Sequence, residues 1–364
     1  MTLFDSALRK INDGRKGLNV GLPLTFRRLA EYIPNIQKET YYLCGGFTKT
    51  GKTALVDDIF LYSVYDLVKR NPEYEKYDID IDYFSFEIDK HTKIVKGIVR
   101  YLYYKYNIVT DINYVLSRGK NRISEDIYSK VVEAKEYFDK LEDILHIYDE
   151  PINPTGINKY LYRKAAHAGT VKTRNITIKD RETGNDKVIS VFDQYIPNNP
   201  NRYHIVIIDH IGLMTTERGF TLKQNLDKMS QYFVTLRNNF GIIPVVVQQL
   251  SAETEDENRI HSKTLQPRLR DFSDSKYLSR DANVVMALFS PYPFRIPKWN
   301  NYDITIFGNY YRNLEVLANR DGEPNINIGL FFEGAIGTFF ELPKANDEKE
   351  LNKVYNYIKN RKKQ

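Results

Sequence analysis

Apolar residues change their spacing repeatedly along this chain, and each change marks an element. Leu3, Phe4, Ala7, Leu8 and Ile11 fall on one face of a short helix over residues 3–12. The glycine-bearing, charged stretch Asp13–Gly21 reads as a linker. So short an amphipathic helix has little core of its own, so its apolar face calls for a docking surface, on its own domain or on another subunit. Tyr41–Cys44 is an apolar run that feeds Gly45–Gly46, a strand entering a glycine loop. After Thr53, the residues Leu55, Val56, Ile59, Phe60, Val64, Leu67 and Val68 recur at helical spacing. That helix stops near Asn71–Pro72, because proline disfavours helix in the residue before it. A strand over Ile79–Phe86 follows, then a helix carrying Ile94, Val95, Ile98, Val99 and Leu102.

The second half continues the alternation with one interruption. Residues 122–142 form a charged amphipathic helix, Leu145–Tyr148 a short strand and residues 155–168 another helix. Residues 171–196 read as a β-hairpin insertion: Val171, Ile176 and Ile178 precede the turn-like Asp180–Asp186, and Val188, Ile189, Val191 and Phe192 follow it. Ile205–Ile208 is wholly apolar and β-branched, the mark of a central parallel strand. Val245–Val247 is another, reached through a helix over 222–239. The pattern predicts an α/β fold: a mainly parallel central sheet flanked by helices, plus the hairpin. Residues 1–20 read as an N-terminal helix and linker, 21–345 as one large domain, and 346–364 as a basic C-terminal tail ending in Lys359–Lys363.

Composition narrows the class without choosing a function. With 28 Tyr and 19 Phe in 364 residues, the chain is too aromatic to be disordered. Its net charge of +6 permits a polyanionic partner without requiring one. The single cysteine, Cys44, excludes an internal disulfide and an all-cysteine zinc site; inside an apolar strand it reads as a buried thiol. The six histidines show no metal-ligand spacing. No apolar run approaches the ~20 residues that span a membrane, and the N-terminus lacks a signal-peptide core. A cytosolic compartment fits this composition.

The strongest chemical signal is Gly46–Phe47–Thr48–Lys49–Thr50–Gly51–Lys52–Thr53, a full G-x-x-x-x-G-K-[ST] match lying after a strand and before a helix. Glycines at Gly46 and Gly51 let backbone N–H groups turn inward around phosphate oxygens. The helix starting there aims its positive end at the anion. Thr48, Lys49 and Thr50 complete the loop, Lys52 would neutralise the β- and γ-phosphates, and the Thr53 hydroxyl would ligate Mg2+. The metal carboxylate would be Asp209, at the carboxyl end of the apolar strand Ile205–Ile208, the edge where ligands gather in such sheets. ATP and Mg2+ are therefore the expected cofactors.

Four further stretches matter in combination: Tyr83–Glu87, Asp209–Met214, Val245–Leu250, and Leu278–Met286 ahead of Asn319–Gly322. In this order and spacing the chain resembles the RecA-like ATPase domain of DnaB-family replicative helicases, from about Gly21 to Leu342. The resemblance implies that Glu87 is the general base that polarises the attacking water, that Gln249 senses the γ-phosphate, and that Arg320 is the arginine finger inserted by a neighbouring subunit. It implies a homo-oligomer, a hexamer by family analogy, acting on single-stranded DNA, with a primase or helicase loader as a further partner. The reading expects a phage or plasmid type without the family's separate N-terminal domain, in the cytoplasm of a bacterial cell or a phage-infected host.

Two departures are visible. The family's lysine two residues before the finger is Ala318 here, and its DNA-gripping loop reads Ser273–Asp274–Ser275–Lys276, with Lys for the usual glycine and Ser for the usual arginine. Arg268, Arg270 and Lys276, and Arg218 in the loop 215–220, are the candidate phosphate-backbone contacts. The reading is an ATP-dependent DNA helicase working as a ring. A RecA- or KaiC-like ATPase that does not unwind, and a nucleotide-gated scaffold of a replication complex, are the alternatives that these departures keep open.

Overall fold

The computed structural model describes residues 2–180, 184–251, 259, 265–272 and 274–361. Its strands are β1 (Tyr42–Gly46), β2 (Asp78–Ser85), β3 (Leu145–Tyr148), β4 (Gly169–Lys179), β5 (Asp186–Pro197), β6 (Arg202–Asp209), β7 (Ile243–Gln249) and β8 (Val284–Phe289). They continue with the short pair β9 (Lys298–Trp299) and β10 (Tyr302–Asp303), then β11 (Tyr311–Asn319), β12 (Ile326–Glu333) and β13 (Thr338–Glu341). Nine of them form one sheet in the order β13-β12-β11-β8-β1-β7-β6-β2-β3. The run β8-β1-β7-β6-β2-β3 is parallel throughout, and β11, β12 and β13 extend it antiparallel. The expected α/β architecture is present, and β4 pairs with β5 as the separate hairpin.

The central strands are apolar on both sides because both sides are covered. Leu55, Ile59 and Phe60 from the helix after the glycine loop pack on Tyr42, Cys44, Ile205 and Val245. On the opposite face, Met229 and Phe233 from the helix Leu222–Phe240, and Ile157 and Leu161 from Pro154–His167, cover Tyr41, Leu43, Val206 and Val246. Phe233 is fully buried against Tyr41, its ring 5.7 Å away, so Phe233→Ala would cost about 3–5 kcal/mol. Cys44 is the buried thiol expected, its pKa pushed up to about 12, first by burial and then by the charge of Asp209.

Several sequence expectations need correction. The N-terminal helix runs Leu3–Arg15, into the stretch read as linker, and is closed at its start by a Thr2–Asp5 capping box. The helix read over 122–142 is two, Glu125–Glu133 and Lys135–Glu142, the first beginning where Ser124 caps it. The basic tail holds a helix, Glu348–Arg361, whose Leu351 and Ile358 are buried in a third small core with Phe307 and Tyr311. Lys362 and Lys363 lie outside the described residues, as do Ser273, His261 and the hairpin tip 181–183.

Candidate nucleotide-binding site

The parallel strands deliver the predicted residues to one rim. In the register of β1 and β7, Gly46 is opposite Gln249; in that of β2 and β6, Ser85 is opposite Asp209. The Phe86 N–H donates to the Asp209 carbonyl at 2.8 Å, which holds Glu87 at the same rim. A cleft of about 440 Å3 lies there, and Lys49, Lys52, Thr53, Glu87 and Gln249 all line it, with His210 beside them.

The glycine loop has the shape the chemistry needs. A Cβ on Gly46 would come within 2.8 Å of the Leu288 carbonyl and 2.9 Å of the Thr50 hydroxyl, so only glycine fits. Gly51 and Lys49 have φ of +98° and +60°, the left-handed conformations that turn successive amides inward. The Thr50 hydroxyl donates to the Phe47 carbonyl at 2.8 Å, and Lys52 Nζ rests on the same carbonyl at 2.8 Å. Burial lowers the pKa of Lys52, while the charges of Asp209 and Glu87 act to raise it. Gln249 Nε2 donates to the Thr48 hydroxyl at 2.6 Å, a direct link between β7 and the phosphate loop.

Asp209 carries the test of a metal site. It is 1% exposed; one oxygen accepts from the Tyr83 hydroxyl at 3.2 Å, and Oδ1 has no partner among the described residues. A buried carboxylate oxygen without a donor is costly, and a hydrated Mg2+ would satisfy it. Asp209, Thr53 and the loop thus fit the group their motif implies.

Behind Asp209 stands a network that sequence reading missed. Where the loop helix takes a π-helical turn over Asp57–Tyr62, Asp57 faces inward. It accepts from the buried Lys93 Nζ at 2.8 and 2.9 Å, and that ammonium lies 3.8 Å from the centre of the Tyr83 ring. Burial raises the pKa of Asp57 against the lowering pull of Lys93. Tyr83 joins this pair to Asp209. The available signal was an acidic residue on the apolar face of a helix and a lysine on the apolar face of the next.

Arg320 lies elsewhere. Its N–H donates to the Asn283 carbonyl at 2.8 Å, and its guanidinium to the Arg280 carbonyl at 3.0 Å, at the rim where β8 begins. Gly46 is paired with Leu288 near the end of that strand. At ~3.3 Å per residue Arg320 is roughly 17 Å from the glycine loop of its own chain. It is exposed there.

Arg218, Arg268, Arg270 and Lys276 are all exposed or half-exposed, in the segments that follow β6 and β7. The first of these segments is tethered by Glu217, which accepts from the Thr155 N–H at 2.9 Å and from Lys228 at 2.5 Å. The second is pinned by Phe272, whose ring packs so close to Gly45 that a Cβ there would meet it at 2.4 Å.

A family model of the DnaB-like helicase C terminal domain matches residues 147–341, more than half of the chain. No curated protein matches the chain. Among solved structures, it is similar in fold to one described as an ATPase domain, at 16% identity and a TM-score of 0.63, over 94% of this chain and 100% of that one. A DnaB-like replicative helicase solved to show its interactions with primase gives 16% identity and a TM-score of 0.63, over 92% of this chain and 67% of that one. The loop, rim and sheet order described above and the family match agree: the chain belongs to the DnaB-like helicase C-terminal domain family, whose members are ATP-hydrolysing DNA helicases.

Proposed function

We propose that this chain is a ring-forming motor that hydrolyses ATP between subunits and moves along single-stranded DNA. The observation that carries the reading is the separation of Arg320 from its own phosphate loop. An exposed arginine at the opposite rim can complete only a neighbour's site. A second observation supports assembly: on the N-terminal helix Leu3 is 92% exposed, Phe4 73% and Ile11 61%, an apolar face left open to a partner.

In this reading Lys52 and the loop amides bind the triphosphate, and Thr53 and Asp209 hold Mg2+, which supplies charge neutralisation between the phosphates. Glu87 accepts a proton from the attacking water. Gln249 reports the state of the γ-phosphate through Thr48 and the segment after β7. Arg320 of the neighbour adds positive charge where the transferring group develops its negative charge. Arg218, Arg268, Arg270 and Lys276 would track the phosphate backbone without reading bases. A primase is the partner suggested by the solved relative, and a hexamer is the ring size proposed.

The test is a forked DNA substrate, with ATP turnover measured with and without single-stranded DNA. Strand separation of one polarity, with DNA-stimulated turnover and affinity that falls steeply with salt, is the expected result. DNA-stimulated turnover without separation would favour a non-unwinding ATPase; turnover indifferent to DNA would favour a scaffold.

A further inference from the structure

Arg312 lies on β11 against the phosphate loop, outside the lining of the cleft, and is 2% exposed. Its hydrogen bonds all go to backbone carbonyls: Nε donates to Thr50 at 2.9 Å, and Nη1 to Asn309 at 2.7 Å and Tyr311 at 2.8 Å. The ring of Phe332 lies 5.1 Å from the guanidinium carbon, and among the described residues no carboxylate pairs with it. Taking a cation out of water without a counter-charge is costly, and burial pulls this guanidinium down to about 10. Asp58–Arg100, in the same layer, has the pairing that Arg312 lacks.

The Thr50 carbonyl belongs to the peptide that joins Thr50 to Gly51. A trans peptide is planar, with its C=O and N–H pointing opposite ways. Holding the Thr50 oxygen at Arg312 therefore turns the Gly51 N–H away from Arg312. Gly51 lines the cleft and Arg312 does not. Gly51 also has a glycine's backbone freedom, at φ +98°, so it gains from an external clamp.

We propose that Arg312 is a positioning residue for triphosphate binding: it aims the Gly51 amide into the cleft and lends a buried positive charge whose counter-charge arrives with the nucleotide. The inference rests on the reading of residues 46–53 as the phosphate loop. Lysine would keep the charge but cannot reproduce the fork that reaches three carbonyls.

The experiment measures binding of a non-hydrolysable ATP analogue to the full chain by calorimetry, across a salt titration, for the parent, Lys52→Ala, Arg312→Lys and Arg312→Met. Arg312→Met should weaken the analogue about tenfold or more, the scale of one charge-assisted hydrogen bond. Arg312→Lys should lose less, and affinity should fall less steeply with salt in the Met variant than in the parent. A lost packing contact alone would leave that slope unchanged. A folded Arg312→Met variant that binds within twofold of the parent, while Lys52→Ala does not bind, overturns the proposal and leaves the loop reading intact. Parental binding by Lys52→Ala removes the loop reading, and the proposal with it. Should Arg312→Met not fold, Arg312→Gln decides: parental affinity and salt slope overturn the role, and a loss with a flatter slope supports it.

Discussion

Strands β2 and β6 carry two clusters of buried charge, and they differ in how completely the chain satisfies them. The first lies mid-strand, where Asp80, Asp82 and His204 come together within 4.8 Å, a grouping that could hold a metal. Lys164 Nζ already sits 2.7 Å from Asp80 and 2.8 Å from Asp82, Arg202 pairs with Asp80, and the Tyr160 hydroxyl and His204 Nε2 reach Asp82 at 2.9 and 2.7 Å. Two carboxylates meet two cations, so the pairing is complete without an ion. The second cluster lies further along the same strands, at the end of β6, roughly 15 Å away. There Asp209 has one tyrosine hydroxyl and a buried oxygen with no partner among the described residues. The same strands thus hold a closed ion network that ties the sheet to the helix Pro154–His167, and an open one that faces the phosphate loop. An unsatisfied buried group, more than a dense cluster of acids, marks the place where a ligand is expected.

If that contrast is right, changes in the two clusters should separate function from stability. Asp209→Asn should cut ATP turnover by about a hundredfold or more, the scale of lost charge stabilisation in an active site, while the urea midpoint stays near that of the parent. A large loss of stability with turnover retained would reverse the roles of the clusters. Lys164→Met should do the opposite. It leaves two buried carboxylates short of a cation and should cost about 3–5 kcal/mol in urea unfolding, with turnover per folded molecule little changed.

The acid limb of stability sharpens the same contrast. Burial works against ionisation of Asp82, but the hydrogen bond and charge of His204 and the charge of Lys164 outweigh it and hold the group at about 2. A depressed carboxylate stabilises the fold fully above its unfolded pKa of about 3.9, and loses that contribution as pH falls toward 2. Acid titration of the parent should show this loss between roughly pH 4 and pH 2, and Asp82→Asn should remove it. Tyr83→Phe should have the smallest effect. The Mg2+ needed for half-maximal turnover should rise about threefold to tenfold, the range of one hydrogen bond, with little change in nucleotide binding without metal. An unchanged Mg2+ requirement would reduce Tyr83 to packing.

The local parts of this molecule were legible in the sequence. The glycine loop, the β-branched run ending in Asp209 and the hairpin each carry their signal in neighbouring residues. What pairs across long separations did not show: Lys93 with Asp57, Lys164 with Asp82, and Arg312 with Thr50 are each set by the sheet order. The antiparallel extension of the main sheet, β11 to β13, was also hidden. β11 buries Arg312, Asn313 and Glu315 among its apolar residues, which breaks the alternation by which a strand is recognised. The C-terminal helix escaped notice because its polar face outweighs the buried Leu351 and Ile358.

The claim on which the rest depends is that one subunit's loop and another's Arg320 make a single active site. Lys52→Ala and Arg320→Ala chains should each be nearly inactive alone. Mixed and allowed to reassemble, they should recover ATP turnover that neither shows, because an intact loop on one chain can meet an intact arginine on the next. A mixture that stays as inactive as its components, with mixed oligomers verified by native mass measurement, would contradict a site shared between subunits.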